Sequence, residues 1–273
     1  MMQSNLRIFG SGAELPAAIR HEGYAVLSPD GVGALAGVPK NALDPMRPFW
    51  ARLPPDQYLR DGGRYRRRRH SCWVMDVAAG SLAAVPHRAH WQPVEYNALH
   101  GGIERWYEAI EPALCALPSW SGLLLGFGRC FAGVRASARW YIEAHQFRID
   151  TTGGIGRPTP EGAHRDGVDF VSVTVVDRSG VKGGETRVFE AGGPHGLRFT
   201  MTEPWSTLLL DDAKVIHETT PIQPSGEAHG GGTEAGGAEG GAAKGGAAGH
   251  RDTLVLTYRA DGFQGPPRGS KSI

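Results

Sequence analysis

The spacing of apolar residues changes about half-way along the chain. In the first part, Ala13 to Glu22 and Ile103 to Leu117 carry apolar residues at helical intervals, which predicts two amphipathic helices. Gly62-Gly63 predicts a turn before an extended, arginine-rich segment from Arg64 to His70, and Gly126-Phe127-Gly128 predicts another turn. This first part therefore has a mixed α/β pattern.

After about residue 126 the pattern becomes typical of β-strands. Short segments rich in Val, Thr and aromatic residues alternate with turns that contain Gly, Pro and Asp. Many short strands at such intervals predict a sandwich or small barrel rather than a parallel sheet with crossover helices. The predicted strands are Trp140 to Ile149, Asp169 to Val176, Thr186 to Glu190, Thr207 to Leu210, Val215 to His217 and Leu254 to Arg259.

One low-complexity stretch interrupts the β-rich part. Of the 24 residues from Gly226 to Gly249, 11 are Gly and 7 are Ala, so the stretch has too little apolar surface to offset its ordering entropy. We predict a disordered insert at 226–249, inside a folded domain because a strand follows it. The predicted organisation is an N-terminal α/β segment at 1–125 that supports and covers a β-rich core at 126–273.

Composition and charge exclude several function classes. Among 273 residues, 29 Lys and Arg against 28 Asp and Glu give a net charge of +1, which is too small a basic excess for nucleic-acid binding. No apolar run reaches the roughly 18 residues of a membrane helix, and the first residues lack a signal-peptide core, so we expect a cytoplasmic protein without membrane or nucleic-acid partners. The cysteines, Cys72, Cys115 and Cys130, lack a C-x-x-C pair and are expected to be reduced thiols.

A pair of metal-ligand residues stands out in the β-rich part. His164 and Asp166 are two residues apart, so on extended backbone both side chains leave the same face and can reach one ion. His217, 53 residues later at the end of an apolar strand, is the best third ligand. Two His and one carboxylate leave coordination positions open, which is the arrangement of non-haem Fe(II) oxygenases.

An arginine beyond the insert fits the same chemistry. Arg251 follows His217 by 34 residues, but only 10 remain when the 24 residues of the insert are subtracted, which predicts an antiparallel neighbouring strand. Its guanidinium offers a bidentate partner for a carboxylate, and Thr253 on the same strand face adds a hydroxyl. This set suits an iron centre that chelates 2-oxoglutarate. His250-Arg251-Asp252 is a second His-x-Asp and remains an alternative ligand pair.

Several spaced motifs, in order, carry a resemblance to a known family. They are Glu143-Ala144-His145-Gln146-Phe147-Arg148-Ile149, Pro160-Glu161-Gly162-Ala163-His164-Arg165-Asp166-Gly167-Val168-Asp169-Phe170, Gly183-Gly184-Glu185, His217 and His250-Arg251-Asp252, with Gln92, Tyr96, Asn97 and Gly101-Gly102 before them. Over about residues 60–262 the chain resembles the bacterial 2-oxoglutarate/Fe(II)-dependent dioxygenase family that includes the L-isoleucine 4-hydroxylases and relatives named for biofilm and stress phenotypes.

The resemblance implies a fold, an activity and site residues. The fold is mainly β, α+β overall: a double-stranded β-helix, or jelly roll, with N-terminal helices packed on it. The activity is hydroxylation of a small substrate, a free aliphatic L-amino acid or relative, with Fe(II), 2-oxoglutarate and O2 and with release of succinate and CO2. His164, Asp166 and His217 would be the iron ligands, and Arg251 would bind 2-oxoglutarate.

The substrate residues are less constrained by the sequence. The run from Arg64 to Arg69 fits a solvated strand edge, or one arginine, for which we choose Arg68, binds a substrate carboxylate inside the cavity. His145 is a candidate substrate-facing residue, and Gln146, of opposite strand parity, competes with it. Two other function classes stay open: a zinc hydrolase that uses the same ligands, and a non-catalytic jelly-roll ligand sensor in a stress or biofilm pathway.

Overall fold

The described part of the chain is built mainly from β-strands, with a few helices. The structure is a computed structural model, and it describes residues 6–97, 99–226 and 248–266. The strands are β1 Ile8–Phe9, β2 Tyr24–Leu27, β3 Arg66–Asp76, β4 Ser81–Ala84, β5 Arg139–Asp150, β6 Phe170–Ser179, β7 Val181–Gly183, β8 Thr186–Glu190, β9 Gly196–Phe199, β10 Thr207–Asp211, β11 Val215–Thr219, β12 Ile222–Pro224 and β13 His250–Arg259. The helices are α1 Leu15–Glu22, α2 Pro29–Ala36, a 3₁₀ helix at Lys40–Arg52, α3 Pro112–Cys115 and α4 Pro118–Val134.

The strands form one large sheet and two small ones. The large sheet has eight strands in the order β1-β2-β10-β6-β13-β5-β3-β4, and every pair except β1-β2 is antiparallel. A three-stranded sheet, β11-β8-β9, and a two-stranded sheet, β12-β7, complete the β-structure of the described residues. The fold class is confirmed: the protein is mainly β with a jelly-roll core.

Side-chain alternation divides the large sheet into two apolar layers. On one face, residues such as Trp140 and Leu254 pack with helix residues such as Trp120 and Phe127. On the other face, Val171 and its neighbours pack against Val188 and Val215 of the three-stranded sheet. Because successive strand residues point to opposite faces, the four strands β2, β10, β6 and β13 contribute to both layers, whereas β3 and β5 contribute only to the layer beneath the helices. The functional cavity therefore opens only on the face turned away from the helices.

Two of the predictions for local structure are wrong. Of Ile103 to Leu117, only Pro112–Cys115 is helical; before it the chain is extended, with Arg105 pairing with His90 through two backbone hydrogen bonds. Gly126-Phe127-Gly128 lies inside α4 instead of forming a turn. A Cβ at Gly126 would lie 2.3 Å from the carbonyl oxygen of Leu35 in α2, so this glycine permits close helix packing. The close contact with α2 explains why glycine occupies this position, and the sequence pattern carries no information about that contact.

The large sheet extends across the predicted boundary at residue 125/126. Its members β1 to β4 precede that position, and β3 pairs with β5 along its whole length, from Arg66 opposite Ile149 to Asp76 opposite Arg139. The N-terminal part thus supplies strands as well as helices to the core. As a statement about separate domains, the division into 1–125 and 126–273 stays a prediction.

The predicted insert lies almost wholly outside the described residues, since 227–247 are not described. Its two described flanks both meet Gly180 in the turn between β6 and β7. Ser225 donates its backbone N–H to the carbonyl of Gly180 at 3.0 Å, and a Cβ on Gly180 would lie 3.2 Å from the Cα of Gly249. The chain therefore leaves the fold and re-enters it at the same place.

None of the helices in the three described ranges is long and apolar enough to cross a membrane. All three cysteines are free; Cys72 and Cys130 are buried and Cys115 is partly so.

Replacing residues 227–247 by a short turn is expected to leave the melting temperature within about 3 °C of the parent, because the flanks already adjoin and loop-length changes cost little. Calorimetry or thermal fluorescence would measure this. Gly180→Val is the control: its φ of +63° and the nearby Gly249 leave no room for a branched side chain, so it should melt clearly lower. A larger loss for the deletion than for Gly180→Val would contradict this account.

Candidate active site

Backbone pairing brings His164 and His217 together. His164 lies in the loop before β6, and each histidine donates its backbone N–H to the carbonyl of the other at 3.0 Å. The two imidazole centroids are 4.7 Å apart. Because Asp166 follows two residues after His164, its side chain reaches the same spot. The structure thus brings together all three predicted ligand residues.

The side-chain atoms of this triad converge without hydrogen-bonding one another. Asp166 Oδ1 lies 3.8 Å from His164 Nε2, and Asp166 Oδ2 lies 3.7 Å from His217 Nε2. Both separations exceed hydrogen-bonding distance. His164 donates its Nδ1 hydrogen to the carbonyl of Gly162 at 2.9 Å, so its Nε2 keeps a free lone pair facing the triad. The arrangement can hold a cation between the three side chains.

The loop that carries Asp166 is fixed by a second, fully buried carboxylate. Asp212, which follows β10, accepts backbone N–H bonds from Asp166, Gly167 and Val168 at 2.9, 2.8 and 3.1 Å. Gly167 has φ +72°, and a Cβ there would lie 2.4 Å from the ring of Tyr96, so no other residue fits. The position of Asp166 is therefore set by Asp212 and by the packing of Tyr96.

Arg251 and Thr253 line the same cavity as the triad. Arg251 is 3% exposed, and its Nε and one terminal nitrogen have no hydrogen-bond partner among the described residues. The prediction that Arg251 lies on the strand antiparallel to that of His217 is wrong, however. β13 pairs with β5 and β6 in the large sheet, whereas β11, which carries His217, pairs with β8. The arginine faces the triad from the other side of the cavity.

The arginine run alternates between the cavity and the outside. Arg66 and Arg68 line the cavity, while Arg67 and Arg69 point outward, where Arg69 bonds the carbonyl of Ala109 at 2.9 Å. Arg66 forms an ion pair with Asp56 at 2.7 Å. Arg68 has no acid within 4.0 Å in the described ranges. The predicted solvated strand edge is wrong for this segment, because β3 pairs with β5 on one side and Arg68 donates its backbone N–H to the carbonyl of Pro54 on the other.

His145 and Gln146 lie on opposite faces of β5. His145 lines the cavity, and its Nδ1 accepts a hydrogen bond from Arg68 at 2.7 Å. Gln146 is fully buried opposite Leu254, on the face that packs against the helices. The structure thus does not bring Gln146 to the cavity, and the reason is strand alternation.

Sequence reasoning missed a chain of polar contacts that reaches Asp166 from the segment before α3. Gln92 donates to Asp166 Oδ1 at 3.3 Å, while its own oxygen accepts from Arg105 at 2.9 Å and Asn97 at 3.2 Å. Gln92 and Asn97 belonged to the family motifs, but only the fold shows their partner. Glu161 was also missed; its Oε1 lies 3.6 Å from His164 Nε2.

The second His-x-Asp pair is occupied elsewhere. His250 bonds Asp177 at 2.8 Å, and Asp252 holds Arg148 through two hydrogen bonds of 2.7 and 2.6 Å. Both residues have the opposite parity to Arg251 on β13 and do not line the cavity. This alternative to the triad therefore belongs to an ion-pair network outside the cavity.

Comparison with known proteins identifies the family of the chain. Residues 47–233 match the family model described as 2OG-Fe dioxygenase. A crystal structure of a bsmA homolog from Methylobium petroleophilum PM1 is 51% identical, with a TM-score of 0.85 over 98% of this chain and 100% of that one. The chain belongs to the 2OG-Fe dioxygenase family.

More distant structures share the fold. IDO from Bacillus thuringiensis is 15% identical, with a TM-score of 0.68 over 92% of this chain and 96% of that one. The Fe(II)/(alpha)ketoglutarate-dependent dioxygenase TqaL is 18% identical, with a TM-score of 0.66 over 96% and 90% of the two chains. No curated protein sequence matches significantly. The match to the family model ends at residue 233, before β13, so it does not include Arg251.

As a member of this family, the protein is a non-haem iron dioxygenase that uses Fe(II), 2-oxoglutarate and O2. The donor set fits Fe(II), since two imidazoles and one carboxylate with ligand atoms within 4.8 Å of one another suit this ion. The unpartnered nitrogens of Arg251 fit an anionic cosubstrate.

Charges in the dioxygenase site follow from burial. Burial, with the neighbouring His164, holds the pKa of His217 well below its usual value, so this imidazole is a neutral donor. Against the effect of burial, the carboxylates of Asp166 and Glu161 raise the pKa of His164. Burial and the Asp166 charge raise the pKa of Asp212 to about 6, and a cation on Asp166 would offset the second cause.

Asp212→Asn is expected to destabilise the protein by about 2–4 kcal/mol, because one buried carboxylate now accepts from three backbone N–H groups and the amide would present a donor to some of them. Urea unfolding of the metal-free protein would measure the change. Asp211→Asn, which alters one backbone bond to Ala213, is the matched control and should cost clearly less. Equal losses for the two variants would refute the special role of Asp212.

Proposed function

We propose that this 2OG-Fe dioxygenase hydroxylates a free aliphatic L-amino acid or a small relative of one, as the resemblance to the L-isoleucine 4-hydroxylases suggests. Three buried arginines without an acid partner in the described ranges line one cavity with the triad: Arg68, Arg105 and Arg251. Arg105 belongs to the chain of contacts that reaches Asp166 through Gln92, so the observation that carries the proposal is the other two, Arg68 and Arg251. Two separate anionic groups would match them: one end of 2-oxoglutarate and one substrate carboxylate.

His164, Asp166 and His217 would hold the iron. Their spacing, the donation from His164 Nδ1 to Gly162 and the neutral His217 all support this assignment. Gln92 would keep Asp166 turned toward the metal by donating to its Oδ1. When bound, the iron with 2-oxoglutarate and O2 supplies the oxidising power for C–H hydroxylation, releasing succinate and CO2.

Arg251 and Thr253 would bind the far carboxylate of 2-oxoglutarate. Burial, aided by the nearby Arg178, lowers the pKa of Arg251 to about 10, which still leaves it charged at neutral pH. A buried guanidinium without a partner favours a carboxylate, because pairing compensates its desolvation. Thr253 lies on the same strand face and lines the same cavity.

Arg68 would bind the carboxylate of the substrate. It lies over the rings of Tyr107 and Phe147, at 3.8 and 4.4 Å from their centroids, so its guanidinium plane is fixed. One terminal nitrogen bonds Tyr107 at 3.1 Å, the other bonds His145, and Nε has no partner. Its burial lowers the pKa to about 10, so it too stays charged. His145 would position it from the substrate side of the cavity.

Membership of the dioxygenase family argues against the two other classes, a zinc hydrolase with the same ligands and a non-catalytic jelly-roll sensor. A biofilm or stress role, a cytoplasmic location and the lack of nucleic-acid or membrane partners stay predictions. The main test is succinate formation from 2-oxoglutarate under air, with and without a panel of L-amino acids.

We expect iron-dependent succinate formation that an aliphatic L-amino acid stimulates. His164→Ala and Asp166→Ala should abolish it and bind no stoichiometric Fe(II), because each removes one of three ligands. His195→Ala, an exposed histidine on the outer surface, is the control and should keep full turnover and one iron per chain. Retained turnover in either triad variant would contradict the assignment.

The two arginines should separate the two substrates kinetically. Arg251→Gln should raise KM for 2-oxoglutarate by at least about 30-fold, and Arg68→Gln should do the same for the amino acid, because each loses a buried charge pair. Arg259→Gln at the other end of β13 and Arg69→Gln on the outer face of β3 are the matched controls. If Arg68→Gln changed only the KM for 2-oxoglutarate, Arg68 would bind 2-oxoglutarate and the two arginine assignments would have to be exchanged.

A further inference from the structure

A buried carboxylate in the cavity, Glu143, is surrounded by three imidazoles. Its Oε2 lies 3.0 Å from His70 Nε2, 2.7 Å from His90 Nδ1 and 3.9 Å from His145 Nε2. All four side chains are buried, and Glu143, His90 and His145 line the same cavity as the iron triad. Glu143 belongs to the motifs that carry the family resemblance, but the resemblance implies no role for it.

The hydrogen positions in this cluster can be derived. Arginine only donates hydrogen bonds, so His145 Nδ1 accepts from Arg68 and carries its own hydrogen on Nε2, toward Glu143. His70 and His90 donate to Glu143 through Nε2 and Nδ1. Each imidazole thus directs an N–H at one carboxylate oxygen.

These contacts leave a net negative charge at Glu143. Burial lowers the pKa of His90 to about 3 and also holds the pKa values of His70 and His145 below their usual range, so all three are neutral. Although burial acts in the opposite direction, His90 and His70 keep the pKa of Glu143 well below its normal value. Glu143 is therefore an anion whose neighbours are dipoles, not cations.

No lysine or arginine nitrogen in the described ranges lies within 4.0 Å of Glu143. The nearest part of Arg68 is separated from it by the imidazole of His145, which accepts from Arg68 on one side and faces Glu143 on the other. A buried anion and a buried cation thus flank the same cavity without neutralising each other. A ligand that carries an anionic group beside Arg68 and a cationic group beside Glu143 would neutralise both.

The same four residues are spaced closely enough to suggest a second metal. The protonation pattern argues against one. A metal at His145 Nε2 would require the hydrogen to move to Nδ1, where it would point at the donating Arg68 nitrogen 2.7 Å away. Distances of 2.7 and 3.0 Å from Glu143 to His90 and His70 are hydrogen bonds already formed.

Of the acids that line the cavity, Asp166 and Glu161 lie beside His164 at the iron end. Glu143 is the remaining one and lies beside the arginine proposed for the substrate carboxylate. A ligand that fits both residues carries a cationic group for Glu143 and, next to it, a carboxylate for Arg68. The main-chain end of a free amino acid has these two groups.

We propose that Glu143, held by His70, His90 and His145, binds the α-ammonium group of the substrate while Arg68 binds its α-carboxylate. The inference rests on the proposed function, and it adds that the enzyme selects for a free amino group. N-acylated amino acids and carboxylic acids that lack the amino group are poor substrates, because they leave Glu143 buried without a counter-charge. The side chain of the bound amino acid is thereby directed away from Glu143 and Arg68, and this orients it in the cavity.

The test is a double-mutant cycle between the protein and the ligand. Succinate formation is measured for wild type and Glu143→Gln, each with the best L-amino acid of the panel and with its des-amino carboxylic acid. Wild type should prefer the amino acid by at least about 30-fold in kcat/KM. Glu143→Gln should lose this preference to within about threefold, through a fall in kcat/KM for the amino acid alone.

Two controls keep the result specific. Glu108→Gln removes the same charge from an exposed position on the outer face and should leave the preference unchanged. The Fe(II) content of Glu143→Gln should equal that of wild type, which shows that the fold and the metal site persist. If this variant does not fold, the wild-type comparison of the amino acid with its des-amino counterpart still decides the question.

The outcomes separate the two proposals. Two results overturn the ammonium site and leave the proposed function standing, provided that amino acids are turned over. One is an equal fall in kcat/KM for both ligands in Glu143→Gln, and the other is an equal kcat/KM of wild type for the two ligands. A second equivalent of metal that is lost in Glu143→Gln also overturns it. A wild-type enzyme that ignores every amino acid but hydroxylates another class overturns the proposed function and the ammonium site with it.

Discussion

Side-chain alternation along three adjoining strands is the constraint on which the site depends. β3, β5 and β13 are neighbours in the large sheet, and their registers place Arg68 opposite Phe147 and Arg251 opposite Ile149. On each strand one residue faces the cavity and the next faces the helices or the outside. A shift of one residue in any of these registers would exchange the charged lining for the apolar layer beneath the helices, so packing of that layer also fixes the active-site charges.

Much of the fold was predictable because the β-rich part alternates clearly and carries turn residues between its strands. The triad was predictable for a related reason, since two residues of spacing on an extended chain fix a shared direction. The path of Arg251 was not. Subtracting the insert gave the correct proximity but the wrong sheet, because β12 pairs with β7 and β13 then pairs with β6 and β5 in the large sheet. The number of residues between two positions gives their separation along the chain, but it does not show which sheet the next strand joins.

Other failures have a similar origin in tertiary contacts. Gly126 looks like a turn residue in the sequence, yet it is helical because α2 approaches closely. Gln146 shares a motif with His145 but points into the other layer. Asp212 and Gln92 hold Asp166 from positions 46 and 74 residues away, and no local pattern links them. Residues that position a site through hydrogen bonds become visible only when the fold brings their partners together.

The cavity carries a surplus of positive charge away from the iron. Arg68, Arg105 and Arg251 are all buried in its lining and lack acid partners in the described part of the chain. Self-repulsion among such groups opposes folding, so any small anion that fits between them stabilises the native state by mass action. The folding equilibrium of this enzyme is therefore linked to the supply of its own carboxylate ligands. In a cell, its abundance would respond to the concentrations of those metabolites, independently of turnover.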